Sequence, residues 1–161
     1  MLIGRMELYA RFLTHGLRVG EAWVTPILAP MRVYLCRHAQ AAPGDPDELR
    51  GLTPTGIEQA RALGEVLADL ADAPALVLSS PLLRAQQTAA EIGRATGAPV
   101  RIDEALAPGA TAEALAQALE GEQGPVATVG HQPDCSEIAL ALIGRDPGFP
   151  VAGMAELELI T

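Results

Sequence analysis

The chain has 161 residues, 49 % of them hydrophobic and only 3 % aromatic, which suits one globular domain with a core of Ala, Leu, Val and Ile. A formal charge of -9 sets the averaged surface against phosphodiester backbones and anionic lipid, so neither nucleic acid nor a membrane surface is an expected partner. Two cysteines far apart in sequence, Cys36 and Cys135, make a disulfide framework improbable, and reduced thiols in a cytoplasmic protein are expected.

In chain order, residues 1–30 come first and differ from the rest. Arg5, Glu7, Arg11, Arg18 and Glu21 interrupt every apolar run, which excludes a signal h-region and a membrane span there. Pro26 and Pro30 then separate this stretch from Met31. It reads as an extension, disordered or translated from too early a start codon, with a weak helix over Met6 to Leu17 as the alternative. The domain proper is expected over residues 31–161. Because Thr161 falls within a strand-like run, a closing element at the carboxyl end is expected to be missing.

From Met31 onward strand-like and helix-like stretches alternate, which predicts an α/β fold. Short apolar runs at Arg32 to Cys36, Leu76 to Leu78, Val100 to Ile102 and Val126 to Val129 read as buried parallel strands, whereas the alternation over Glu156 to Ile160 reads as an edge strand, antiparallel to the others. Thr53-Pro54 opens a helix carrying Ile57, Ala60, Leu63, Leu67 and Leu70, expected to run to about Ala71. Ser80-Pro81 gives the same start signal for a second helix that Gly97 would stop. A third follows Thr111 over Ala112 to Leu119, and a fourth runs from Asp134 to Ile143 before Gly144. The expected architecture is a three-layer α/β/α sandwich with a mostly parallel sheet. No helix face carries a surplus apolar stripe that would mark an oligomer interface.

In such folds ligands gather at the carboxyl ends of parallel strands, where helix amino termini also present free N–H groups. Arg37 and His38 follow the first strand, Ser79, Ser80 and Arg84 the second, Gly130 and His131 the fourth. Taken singly, each has a bland reading as a surface charge or a hydrogen-bonded structural histidine. Together, two arginines beside helix amino termini suit a dianion, because guanidinium forks match phosphate oxygens and stay charged at any working pH. A histidine among those cations is held neutral, which leaves a ring nitrogen free to attack a bound phosphoryl group.

Rival chemistries fit less well. A thiol phosphatase loop needs Arg six positions after its Cys, but Ala42 and Ala141 stand there relative to Cys36 and Cys135. His15, His38 and His131 lack ligand spacing for a metal, so none is expected. Gly44 and Gly51 do not form a nucleotide loop, and no organic cofactor is expected either.

The blocks "VYLCRHAQA", "RGLTPTGIEQA", "LSSPLLRAQQTA" and "VGHQPDCSEIALALIG" occur in this order. With them the chain, from Met31 to its end, resembles the histidine phosphatase (phosphoglycerate-mutase-like) superfamily and within it the SixA-like phosphohistidine phosphatases. The resemblance implies His38 as nucleophile, Arg37 and Arg84 as phosphate clamps, His131 as the second pocket histidine and Arg50 at the rim, within reach of substrate. The family's usual Arg-His-Gly is Arg37-His38-Ala39 here. Mutases and broad phosphomonoesterases of the superfamily carry a glutamate acid where this chain has Pro108. Asp103 and Glu104 are the nearest substitutes, and surface charge is their simpler reading.

An ester would need that proton donor, whereas the imidazole of a phosphohistidine is readily protonated near neutral pH. Mutases and large phosphatases of the superfamily roof the pocket with long inserts, whereas only about ten residues separate Ala41 from Gly51 here and no long insert follows Ile102, so the resemblance implies an open pocket able to admit a side chain of another protein. The expected function is therefore a metal-independent phosphohistidine phosphatase working through a phosphohistidine on His38. Its expected partner is a phosphorylated protein such as a histidine phosphotransfer domain. The alternatives are a phosphatase for small phosphomonoesters or phosphoramidates, and a noncatalytic module that binds phosphate or a partner.

Overall fold

The computed structural model describes residues 30–160, together with the backbone of two short strands, β1 (Leu17–Val19) and β2 (Ala22–Val24), which pair antiparallel. The rest of the extension expected over residues 1–30, including nearly all of the helix expected over Met6 to Leu17, lies outside the described residues, and Leu17 itself opens β1.

Five strands form the main sheet in the order β5-β4-β6-β3-β7, built from β3 (Pro30–Arg37), β4 (Leu76–Ser79), β5 (Val100–Ile102), β6 (Val126–Gly130) and β7 (Met154–Ile160). The pairs β3/β6, β6/β4 and β4/β5 are parallel, and β7 runs antiparallel along β3 as one edge; β5, expected to be buried, is the other edge, paired on one side only and exposed at all three residues. Period-two alternation sends successive residues of the central strands to opposite faces. Val33 and Leu35 pack with Leu115, Ile138 and Ile143, whereas Tyr34 and Cys36 pack with Leu63, Leu67, Ala85 and Ile92. Two cores on one sheet make the expected three layers, with α1 (Pro54–Ala68) and α2 (Leu83–Thr96) on one side, and α3 (Ala112–Ala118) and α4 (Asp134–Ile143) on the other. Among the described residues, no helix is long and apolar enough to cross a membrane.

The helix signals work as the residues suggest, with two differences. Thr53 caps α1 by accepting from the Gly56 N–H at 2.9 Å, and Thr111 caps α3 by accepting from Ala114 at 3.2 Å. Gly97 and Gly144 close α2 and α4 in the left-handed region, at φ 75° and 69°. Helix α1 ends at Ala68, short of the expected Ala71, because the chain is drawn back to the sheet: the Tyr34 hydroxyl donates to the Asp72 carbonyl at 2.6 Å. Helix α2 begins at Leu83 without a side-chain cap from Ser80. The Ser80 hydroxyl is engaged elsewhere, 2.6 Å from His131 Nε2, and accepts only a 3.3 Å bond from the Leu82 N–H.

Candidate active site

The sheet ladder brings the two histidines together. Arg37 is the register partner of Gly130 across the parallel pair β3/β6, so the next residues, His38 and His131, leave adjacent strands side by side. Their ring centroids lie 5.3 Å apart with the planes tilted by 55°. The backbone around His38 is held from three directions: its N–H donates to Gly130 O at 3.0 Å, its carbonyl accepts from Ala152 N at 3.1 Å, and the next amide, Ala39, donates to Thr88 Oγ1 at 3.1 Å.

Hydrogen bonding assigns the atoms of His38. Nδ1 lies 2.6 Å from the Ala39 carbonyl, which can only accept, so Nδ1 carries the proton and Nε2 keeps its lone pair. Burial, followed by the Arg84, Arg37 and Arg50 guanidinium groups, lowers the His38 pKa below 6.5 against the opposing effect of the Ala39 bond. A neutral imidazole with a free nitrogen is the state a nucleophile needs.

His131 is buried, and its pKa falls to about 4 through burial, then through His38 and Arg84, with Asp47 acting the other way. Its Nε2 meets Ser80 Oγ while Nδ1 is buried without a partner. Ser80 Oγ accepts from Leu82 and, as a hydroxyl, can also donate its proton to His131 Nε2. With Ser80 Oγ donating to Nε2, the imidazole proton sits on Nδ1.

The arginines complete the cluster. Arg37 donates from one terminal nitrogen to the Phe149 carbonyl at 2.9 Å, and its Nε is buried without a partner. Arg84, in the first turn of α2, has a side chain only 8 % exposed and donates to Asp47 through both terminal nitrogens, to the carbonyl at 2.9 Å and to Oδ2 at 3.0 Å. Arg50 donates to the Ala42 carbonyl at 2.8 Å and to Asp47 Oδ1 at 2.7 Å. Arg37, His38, Arg84 and His131 thus share one cluster, with Arg50 at its margin.

Neither Asp103 nor Glu104 makes a side-chain hydrogen bond or ion pair with a member of this cluster. Asp103 spends its carboxylate on the Ala105 N–H at 2.9 Å, capping a short turn on which Glu104 is exposed. Three contributors were missed in the sequence. Asp47 touches both Arg84 and Arg50. Ser80, read as a helix cap, orients His131. Asp134 is buried and accepts from Gly109 and Ala110 at 2.8 and 3.2 Å, pinning the loop that carries Pro108. A carboxylate three residues before Arg50 was the available signal for Asp47, the end of the second strand was the signal for Ser80, and nothing local marked Asp134. Among the described residues no group of three or more His, Cys, Asp or Glu could hold a metal ion. Both cysteines are buried and free, on opposite sheet faces, and burial raises the Cys135 thiol to about 12.

The chain has relatives of known structure. The model of the histidine phosphatase superfamily (branch 1) matches residues 33–108. The protein assigned as phosphohistidine phosphatase SixA in Agrobacterium tumefaciens is 34 % identical, with a TM-score of 0.69 over 80 % of this chain and 91 % of that one. The chain belongs to the histidine phosphatase superfamily. A protein histidine phosphatase SixA solved with tungstate is a second similar histidine phosphatase, at 30 % identity and a TM-score of 0.71 over 78 % of this chain and 86 % of that one. A mycobacterial glucosyl-3-phosphoglycerate phosphatase solved with VO3 is more distant, at 26 % identity and 0.55 over 75 % and 82 %. No curated protein matches the chain. Membership of the histidine phosphatases supports a phosphatase, a hydrolase of phosphate compounds, on a phosphoglycerate-mutase-like fold.

Proposed function

We propose that the protein is a cytoplasmic phosphohistidine phosphatase that works through a covalent phosphohistidine on His38. The observation that carries this reading is the His38 ring, whose Nδ1 proton is committed to Ala39 O while Nε2 stays free beside His131 and the three arginines. Arg37, Arg84 and the His131 Nδ1–H hold the phosphoryl oxygens and offset their charge. Nε2 of His38 attacks phosphorus in line with the leaving nitrogen. The phosphorus–nitrogen bond breaks, its electron pair stays on the departing imidazole, and that ring takes a proton from water. A water molecule then attacks the phosphoryl group on His38, releasing orthophosphate and restoring the neutral imidazole.

No step uses a metal or an organic cofactor. No carboxylic acid is used either, in keeping with Pro108 at the place where the resemblance to the superfamily's mutases and broad phosphomonoesterases implies a glutamate, and with Asp103 Oδ1 engaged in its turn. A leaving group that is protonated easily is the one such a site handles best, which favours phosphohistidine over an alkyl ester. The SixA relatives point the same way. The substrate class is then a phosphorylated protein, such as a histidine phosphotransfer domain. A second reading, a small phosphomonoester substrate, is favoured by the similarity to the mycobacterial glucosyl-3-phosphoglycerate phosphatase.

The test is a panel of phosphohistidine proteins, phosphoramidate and alkyl phosphates, assayed with the native chain and with His38→Ala. Turnover is expected on the phosphorus–nitrogen substrates, with acid-labile labelling of the native protein. The variant should lose turnover by at least about a thousandfold at unchanged circular dichroism. An undiminished rate in His38→Ala overturns the mechanism. Comparable rates on alkyl phosphates move the assignment to the second reading, and binding without turnover or label makes the protein a noncatalytic phosphate-binding module.

A further inference from the structure

The cation cluster already contains an anion. Asp47 opens the short turn Asp47–Leu49, whose residues are all exposed, within a segment exposed from Pro43 to Leu49. The ends of that segment are tied down, by the bridge between Ala41 and Leu52 and by the 2.8 Å bond from Ala42 N to Gly51 O. Between those ties no residue of the turn is buried. What joins the turn to the body of the protein is Asp47, which accepts from both terminal nitrogens of Arg84 and from Arg50.

Arg84 therefore directs its end-on pair of donors at Asp47, Nη1 at the backbone carbonyl and Nη2 at the carboxylate, and those are the donors with which a guanidinium grips phosphate oxygens. The Asp47 side chain is 57 % exposed and that of Arg84 only 8 %, so the carboxylate covers the arginine from the solvent side, the direction from which a substrate must come. The two guanidinium groups hold the Asp47 carboxyl below its ordinary pKa, so it is charged at neutral pH. A phosphoryl dianion that takes the Nη2 donor of Arg84 meets this like charge.

We infer that Asp47 is a resident competitor for Arg84: it holds the guanidinium while the pocket is empty, yields it to the incoming phosphoryl group, and reclaims it as orthophosphate departs. The inference rests on the phosphatase reading above and adds to it the residue that sets oxyanion affinity and product release. A dianion carries more charge than a carboxylate, so the exchange runs toward bound phosphate at high concentration. The repulsion left between Asp47 and the bound group then favours release. Because the turn buries nothing of its own, its outward displacement uncovers little apolar surface.

The experiment is calorimetric titration of the native chain, Asp47→Asn and Asp47→Ala with orthophosphate and with tungstate at constant ionic strength, alongside kcat and KM. Asn keeps the shape and an oxygen acceptor without the charge, and both variants replace an exposed side chain, so folding is retained. Both variants should bind orthophosphate at least about tenfold more tightly, with lower KM and a kcat limited by slow phosphate release. Equal or weaker oxyanion binding in Asp47→Asn overturns the inference, since Asp47 would then serve only to orient Arg84. If the native chain binds neither oxyanion, the phosphatase reading itself fails, whatever the variants do.

Discussion

At neutral pH the imidazoles of His38 and His131 are both uncharged, for related reasons. His131 is buried and His38 half-buried, and each faces Arg84; His38 also faces Arg37 and Arg50, and His131 faces His38. Lowered pKa values have a definite sign for stability. Between the unfolded value of 6.5 and the folded value of about 4 for His131, the unfolded chain binds more protons than the native one. Stability is therefore full above pH 6.5 and falls as pH drops through that window, which urea titrations at pH 7, 5.5 and 4.5 would register as a declining midpoint. Activity shares the direction, because a protonated His38 has no lone pair on Nε2. The acid limb of kcat/KM should lie below pH 6.5, and a limb centred above that value would contradict the electrostatics of the cluster.

At the scale of elements, the start of α1 locks the loop that follows the nucleophile. Thr53 caps the helix and also donates from its N–H to Gln40 O at 3.0 Å, and a Cβ at Gly56 would stand 2.0 Å from that same carbonyl. Only glycine allows the helix this close. Gly56→Ala should therefore push Gln40 and its neighbours Ala39 and His38 out of place. It should cost about 1–3 kcal/mol in chemical denaturation, by overpacking, and lower kcat along with stability. A variant with native stability and native kcat would show that the loop does not depend on this contact. The helix start was legible in Thr53-Pro54, but the reason for Gly56 was not, because a close approach between two chain segments leaves no local pattern. The same limit explains Ser80 and Asp134. Ser80-Pro81 is a sound capping signal that lost its hydroxyl to His131, a residue from a different strand. Asp134, expected only as the start of the fourth helix, binds the Gly109–Ala110 backbone. By contrast, Arg37, His38, Arg84 and His131 were legible together, since strand ends in an α/β fold converge once the strands have been recognised.

For the whole molecule, the pocket is a junction between layers. It draws on the ends of β3 and β6, the first turn of α2 and the loop near Phe149, so a ligand that binds it joins elements from both sides of the sheet. An oxyanion bound only by the native state should stabilise the entire chain. At about a hundred times its Kd the gain is about 2.7 kcal/mol, which for a protein of this size raises Tm by roughly 5 to 10 °C. Tungstate should produce that shift in the native chain by differential scanning fluorimetry and should lose it in Arg84→Ala. An unchanged shift in that variant would mean that the ion binds elsewhere.

The pairing of Arg37 with Gly130 has one more consequence. The two imidazoles ride on neighbouring rungs at the middle of the sheet, so they cannot drift apart unless the centre of the protein unzips. The gap between them is thus as durable as the fold. Natural variation that retunes this scaffold for a new phosphate compound has to act elsewhere, and the short exposed span from Pro43 to Leu49 is where insertions and exchanges would disturb the architecture least.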